Sequence, residues 1–111
     1  MMDASTKARC EMTAEVFRAL AHPSRVFIVE QLAERGEECV CNMTALIGAD
    51  MSTVSRHLSA LKKAGVIEDE RRGTMTFYRL RASCVLKFLQ CAEKVLRESY
   101  QAKAKLLKTE V

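Results

Sequence analysis

The chain has 111 residues, which is the length of one small domain over residues 1–111, and its 18 Lys and Arg against 14 Asp and Glu leave a net charge of +4. This mild cationic surplus is compatible with nucleic-acid binding without requiring it, and no apolar run approaches the ~18 residues that a membrane span needs. The polar first nine residues lack the apolar stretch of a signal peptide, so we expect a cytoplasmic protein whose five cysteines are reduced thiols.

The first part of the chain predicts four helices. Apolar residues at helical spacing indicate a first helix from about residue 8 to residue 20, after a flexible arm over residues 1–8. Pro23 favours the first turn of a second helix, which Gly36 ends. A short helix and a longer one follow, and the tight turn at residues 49–51 separates them. Together they predict a helix-turn-helix unit over residues 42–64.

The rest of the chain predicts a β-hairpin and a last helix. Two short strands at residues 66–70 and 74–80 are joined by the loop Arg71-Arg72-Gly73, which gives a wing over residues 66–80. A long helix over residues 83–107 carries apolar residues on one broad face. The order ααααββα predicts a mainly helical winged helix-turn-helix protein with a small β-hairpin.

The second helix of the helix-turn-helix unit predicts a DNA-reading surface. Its apolar stripe of Val54, Leu58 and Leu61 turns the opposite side towards the major groove. An Arg there can pair with guanine, whereas lysines near the helix end more often contact phosphates. For His57, the sequence leaves two interpretations equally open: a histidine packed in the core, or a side chain that contacts DNA. The two hairpin arginines either form a DNA-binding wing or lie in a solvated charged turn. The predicted DNA-binding residues are Ser52, Thr53, Ser55, Arg56, His57, Ser59, Lys62, Lys63, Arg71 and Arg72.

Four segments resemble motifs of the arsenical-resistance (ArsR/SmtB) repressor family. Residues 19–25 resemble the start of the family's second helix, and residues 52–58 resemble its recognition helix. Residues 73–80, which end in Tyr-Arg-Leu, look like the family's wing, and Cys39-Val40-Cys41 looks like its thiol metal box. The four segments occur in the family's order, and the resemblance covers roughly residues 12–98.

The resemblance implies a homodimeric repressor that binds double-stranded operator DNA without a cofactor and releases it when an inducer binds. The first helix and the last, at residues 83–107, would form the dimer interface. An enzyme is not expected, because the only two histidines, His22 and His57, belong to no nucleophile–base pair and no Gly-rich phosphate loop is present.

Cys39 and Cys41 are the predicted metal ligands. Two thiols one residue apart can face one ion where the backbone is extended or begins a helix, and thiolates select soft, thiophilic ions. Three thiolates would suit arsenite or antimonite as the inducer, whereas four would suit zinc, cadmium or lead. The alternative is that both cysteines are small buried apolar residues.

A third thiol ligand is left open by the sequence. Arsenic-responsive members of the family carry a third cysteine three residues after the pair, and Thr44 occupies that position here. Cys10, Cys84 and Cys91 are the candidates, and an amino-terminal cysteine completes the site across the dimer in some cadmium and lead relatives. For each of these three thiols, burial is the favoured alternative to a ligand role.

Two other kinds of sensing site, a zinc site on the last helix and a redox-active thiol pair, fit the sequence less well. The family's zinc site on the last helix is missing, since Ala82, Cys84 and Val95 stand at its positions. A repressor that senses oxidants or reactive sulfur through its thiols is an alternative of the same fold. Relatives of that type carry a cysteine in the second helix, where this chain has Glu30. A cadmium or lead sensor also stays open.

Overall fold

The computed structural model describes residues 1–109, which form five helices and a three-stranded antiparallel sheet. No helix in that range combines the length and the hydropathy needed to cross a bilayer. The mainly helical class with a β-hairpin is as predicted. In chain order the elements are α1 (Ala4–Leu20), α2 (Pro23–Arg35), β1 (Glu38–Cys39), α3 (Val40–Ile47), α4 (Met51–Lys63), β2 (Ile67–Arg72), β3 (Met75–Leu80) and α5 (Cys84–Thr109).

Helix α1 begins earlier than the predicted residue 8, so the flexible arm predicted over residues 1–8 is wrong for residues 4–8. The carboxylate of Asp3 caps the helix by accepting a hydrogen bond from the backbone N–H of Thr6 at 2.7 Å. The predicted start was based on the spacing of apolar residues, which begins only at Met12. A first turn made of polar residues does not show that spacing, so the earlier start could not be predicted from it.

Strand β1 is an element that the predicted order ααααββα lacks. Its two residues pair with β3, with Glu38 opposite Tyr78 and Cys39 opposite Phe77, so the sheet order is β1-β3-β2. Two residues are too few to show the alternation that identifies a strand. Helix α3 follows directly at Val40, two residues before the predicted start of the helix-turn-helix unit.

The hairpin loop is shorter than predicted. Arg71 and Arg72 belong to β2, where Arg72 lies opposite Met75, so the loop consists only of Gly73 and Thr74. Gly73 has a φ of 64°. A positive φ at the first central position is what a tight type II′ hairpin turn requires, and Gly adopts it without steric cost.

The core joins the helix-turn-helix unit to the sheet. Helix α4 buries Val54, Leu58 and Leu61 completely, as its predicted stripe requires. These side chains pack with the buried faces of α2 and α3 and with the start of β2, namely Ile28, Val29, Leu32, Met43, Val66 and Ile67. Because the buried face of α4 is packed tightly against this core, the opposite face of the helix forms a rigid surface exposed to solvent.

Helix α5 contributes little to that core beyond its first turns. Val85 is buried and Leu89 is partly buried against the core. Further along, the helix leaves Val95, Leu96 and Tyr100 between 67% and 73% exposed. A single chain therefore leaves most of the apolar face of α5 uncovered.

Candidate DNA-binding surface and cysteine pocket

The outer face of α4 presents a row of small hydroxyl side chains beside cationic ones. Ser52, Ser55, Arg56 and Ser59 are exposed on this face, and Thr53 is partly exposed. Helix α4 starts after the N-cap residue Asp50, whose carboxylate accepts a hydrogen bond from Ser52 Oγ at 2.8 Å. The hydroxyls of Thr53 and Ser52 hold the pKa of Asp50 below its usual value, so this carboxylate is ionised at neutral pH.

Arg56 and Lys63 are the unpaired cations of α4. Neither has an ion-pair or hydrogen-bond partner among residues 1–106, whose side chains the structure describes, and both are exposed. Lys62 differs, because its Nζ lies 3.0 Å from a carboxylate oxygen of Asp69 on β2. Of the two lysines at the helix end, only Lys63 therefore has its full charge available to a phosphate.

His57 is buried on the inner side of α4, and the prediction that it contacts DNA is not supported. Its Nδ1 accepts a hydrogen bond from Arg25 Nε at 3.1 Å, and its ring centroid lies 4.4 Å from that of His22. Burial, followed by the charges of His22, Arg25 and Arg56, lowers the pKa of His57. This contact matches the packed-histidine interpretation and ties α4 to the start of α2.

Arg72 is held by carboxylates of its own chain, so it is not a wing cation that is free to contact DNA. Its guanidinium donates to both carboxylate oxygens of Glu37, at 2.6 and 2.9 Å, and to Glu70 at 3.1 Å. The same group lies 4.7 Å above the ring centroid of Phe77. These hydrogen bonds raise the pKa of Arg72 and lower those of Glu37 and Glu70, so all three stay charged around neutral pH.

Arg71 remains as the available cation of the wing. It is exposed, and its Nε donates to the backbone carbonyl oxygen of Gly73 at 3.2 Å. It has no carboxylate partner within the described part of the chain. The structure thus separates the two neighbouring arginines, which sequence reasoning treats alike, into one paired and one unpaired charge.

Cys39 and Cys41 line one cavity of about 280 Å³. Cys39 is 4% exposed at the end of β1, whereas Cys41 is exposed on the first turn of α3. Cys39 is extended and α3 begins at the next residue, which is the backbone arrangement that allows two thiols one residue apart to face one ion. The remaining lining residues come from α3, from the first turns of α4 and from the wing, and they are Val40, Met51, Ser55, Thr74, Met75 and Thr76.

The other three cysteines do not join this pair within one chain. Cys10, Cys84 and Cys91 are exposed in the single chain, on faces of α1 and α5 that it leaves uncovered. Their burial, which was expected from the dimer interface, stays a prediction. Within residues 1–109 no three Cys, His, Asp or Glu side chains cluster as metal ligands. The third thiol ligand therefore stays a prediction.

Comparison with known protein families gives a match over the helix-turn-helix region. Residues 22–69 match the model described as bacterial regulatory protein, arsR family. The arsenical resistance operon repressor of Bacillus subtilis is 34% identical over 79 residues, which cover 71% of this chain and 75% of that protein.

Two solved structures extend the similarity to most of the fold. A homodimeric winged helix-turn-helix DNA-binding domain from Mycobacterium bovis has a TM-score of 0.78 at 30% identity, covering 91% of this chain and 93% of that one. The antimony-specific transcriptional repressor AntR has a TM-score of 0.73 at 28% identity, with 90% of each chain covered. These similarities confirm the predicted winged helix-turn-helix class.

Proposed function

The chain belongs to the arsR family of DNA-binding transcriptional repressors, and from that premise we propose that it releases its operator when a thiophilic ion binds Cys39 and Cys41. The observation that carries the proposal is the cavity in which both thiols meet the first turns of α4 and the loop of the wing. An ion bound there touches the elements that would hold DNA. Arsenite or antimonite is the inducer that we propose.

Operator recognition falls to the exposed side of α4 and to the unpaired cations around it. Arg56 is long enough to reach a base edge, where a bidentate pair with guanine is worth about 1–3 kcal/mol of discrimination. The hydroxyls of Ser52, Thr53, Ser55 and Ser59 suit phosphate or base contacts. Lys63 and Arg71 carry the unpaired charges that would neutralise phosphates, with smaller contributions from Lys62 and Arg72, whose charges are already matched.

A homodimer would place two copies of α4 on one face for two half-sites of an operator. The exposed apolar side chains of α5, together with Met12 and Phe17 of α1, supply a surface that a second copy can cover. Phe17 and Phe88 lie 6.1 Å apart, so the two helices share one continuous apolar face. The homodimeric state of the structural relative from Mycobacterium bovis supports this arrangement.

The thiol chemistry favours a soft inducer over an oxidant. Arsenite condenses with thiols, and each new arsenic–sulfur bond releases water, so the ion would be held by the sulfurs of Cys39, Cys41 and one further thiol. The names of the relatives from the arsenical resistance operon and of AntR support an ion of this class. The redox alternative is less favoured, because α2 carries Glu30 where relatives of that type carry a cysteine.

Release requires that the ion bind the DNA-incompetent form more tightly than the DNA-bound form. Ser55 is both a lining residue of the cysteine pocket and a proposed DNA contact. Cys41 lies on the helix that packs against α4. Closing the pocket around an ion would therefore shift α4 relative to the wing. That shift would change how the two copies of α4 in the dimer contact the two half-sites of the operator.

The test measures operator release by fluorescence anisotropy while arsenite is added to the reduced protein. Cys39→Ser and Cys41→Ser should bind the operator as the wild type does but stay bound in arsenite. Single changes at Cys10, Cys84 and Cys91 identify the third ligand, because only that variant should share the uninducible behaviour. Release from the Cys39/Cys41 double variant at the wild-type arsenite concentration would contradict the proposed site.

A further inference from the structure

The cysteine pocket is rich in sulfur beyond its two thiols. Met51 and Met75 line it together with Cys39 and Cys41, so four of its eight lining residues carry sulfur. Met51 is the first residue of α4 and Met75 is the first residue of β3. The pocket therefore brings a thioether from the helix and one from the wing to the same place as the thiol pair.

We propose that this pocket is a Cu(I) site, with two cysteine thiolates and at least one methionine thioether as its ligands. Thiolate and thioether sulfurs together are the soft donor set that selects Cu(I) in proteins. Among residues 1–109, no third Cys, His, Asp or Glu completes a site with the pair. The thioethers are the only other soft donors in the lining, and they supply the ligands that the pair lacks.

The exposure of these two methionines separates them from methionines that fill the core. Met51 is 54% exposed and Met75 is 42% exposed, whereas Met43 is fully buried in the core beside α4. An exposed methionine gains little from hydrophobic burial. Two of them at the mouth of a thiol pocket are suited to reach inward to an ion.

The thioethers distinguish Cu(I) from arsenite at the same pair of thiols. Arsenite binds by condensation, in which each thiol loses its proton and a water molecule leaves, and a thioether has no proton to lose. Cu(I) needs only lone pairs, so Met51 and Met75 can bind it without a leaving group while Cys39 and Cys41 release their protons to solvent. Replacing the methionines should therefore weaken Cu(I) binding and leave arsenite binding intact.

Coordination by Met51 and Met75 would also connect the ion directly to both proposed DNA-binding elements. An ion held from α3, α4 and the wing would restrain these three elements against one another. This consequence for the operator rests on the proposed function, but binding of Cu(I) by the thiols and thioethers of the pocket does not.

The first experiment is an anaerobic titration of the full reduced chain with Cu(I) in competition with a coloured Cu(I) chelator. The Met51→Leu/Met75→Leu double variant keeps the apolar volume and loses both thioethers. Its Cu(I) affinity should fall by at least about tenfold, the lower end of what losing even a supporting partner of a metal ligand costs. Met2→Leu, which changes an exposed methionine that lies before α1 and outside both the pocket and the proposed dimer surface, should match the wild type.

A spectroscopic readout separates ligation from an indirect effect of the leucines. In selenomethionine-labelled protein loaded with Cu(I), selenium-edge X-ray absorption should show copper at bonding distance, and this signal should vanish in the double variant. Equal Cu(I) affinity in the wild type and the double variant, or a selenium spectrum without copper, would overturn the proposal.

Arsenite titrations distinguish this proposal from the proposed function. If arsenite fails to release the operator while Cu(I) affinity still depends on the methionines, the proposed function fails and the Cu(I) site stands. If arsenite releases the operator from the wild type but Cu(I) affinity is the same in the wild type and the methionine double variant, only the Cu(I) proposal fails.

Discussion

The unequal pairing of Arg71 and Arg72 predicts that these neighbours contribute differently to the salt dependence of operator binding. Arg72 is held by Glu37 and Glu70, so its charge is already balanced by two carboxylates. Arg71 bonds only to the carbonyl oxygen of Gly73 within the described residues. We therefore expect Arg71→Ala to remove a phosphate contact and Arg72→Ala to remove mainly an internal bridge.

The expected size follows from counterion release. Each neutralised phosphate contributes about −0.9 to the slope of log K against log salt on duplex DNA. A homodimer loses two arginines per substitution, so Arg71→Ala should make the slope shallower by about 1.8, whereas Arg72→Ala should change it by less than half of that. The assay is anisotropy of a labelled operator fragment at several salt concentrations between about 50 and 200 mM.

Two results would refute this reasoning. An equal change of slope for the two variants would show that Arg72 leaves its carboxylates and contacts DNA. An unchanged slope for Arg71→Ala would show that the tip of the wing lies away from the phosphates. Glu37→Gln serves as the matched control, because it loosens Arg72 without removing a cation from the wing.

Three further predictions concern the dimer, the buried histidine and the core. Leu96→Asp should give monomers in analytical ultracentrifugation, because Leu96 is 70% exposed in one chain and a carboxylate is costly to bury between two; an unchanged dimer would move the interface elsewhere. Since the folded-state pKa of His57 lies below its unfolded value of 6.5, the unfolded chain binds the extra proton first, and the free energy of unfolding should fall as pH drops below about 6.5. His57→Gln, which keeps an acceptor for Arg25, should flatten that part of the profile in urea denaturation at several pH values, and an unaltered profile would contradict the assignment. Leu58→Ala should lower the free energy of unfolding by about 2–5 kcal/mol in the same assay, and a loss under about 1 kcal/mol would show that Leu58 is less well packed than its full burial indicates.

The sequence predicts the reading helix well because its signal is periodic. Val54, Leu58 and Leu61 repeat at helical spacing, and the structure buries all three. That inner stripe fixes which residues face outward. The hairpin is likewise predicted by its alternation and its glycine, although the two-residue loop is shorter than the one expected.

The contacts between distant segments could not be read from the sequence. The bridge from Arg72 to Glu37 joins residues 35 positions apart and depends on the pairing of β1 with β3. The contact of His57 with Arg25 and His22 depends on how α2 crosses α4. A residue's charge or type indicates that it needs a partner, whereas the partner's identity follows from strand register and helix packing.

The pocket is the clearest case of a site that only the fold assembles. The spacing of Cys39 and Cys41 indicates a ligand pair, but nothing in the sequence brings Met51 and Met75 to it. They approach because α4 and β3 both begin beside the first turn of α3.

The measurement that tests the central claim most directly is the affinity of the reduced protein for arsenite with and without saturating operator. If ion and DNA bind opposed forms of one repressor, operator must weaken arsenite binding by the same factor by which arsenite weakens operator binding. We expect equal factors of roughly 5–150, a common range for such coupling, and no coupling in the Cys39→Ser/Cys41→Ser variant. An arsenite affinity that is the same on and off the operator would contradict the claim that the cysteine pocket controls DNA binding.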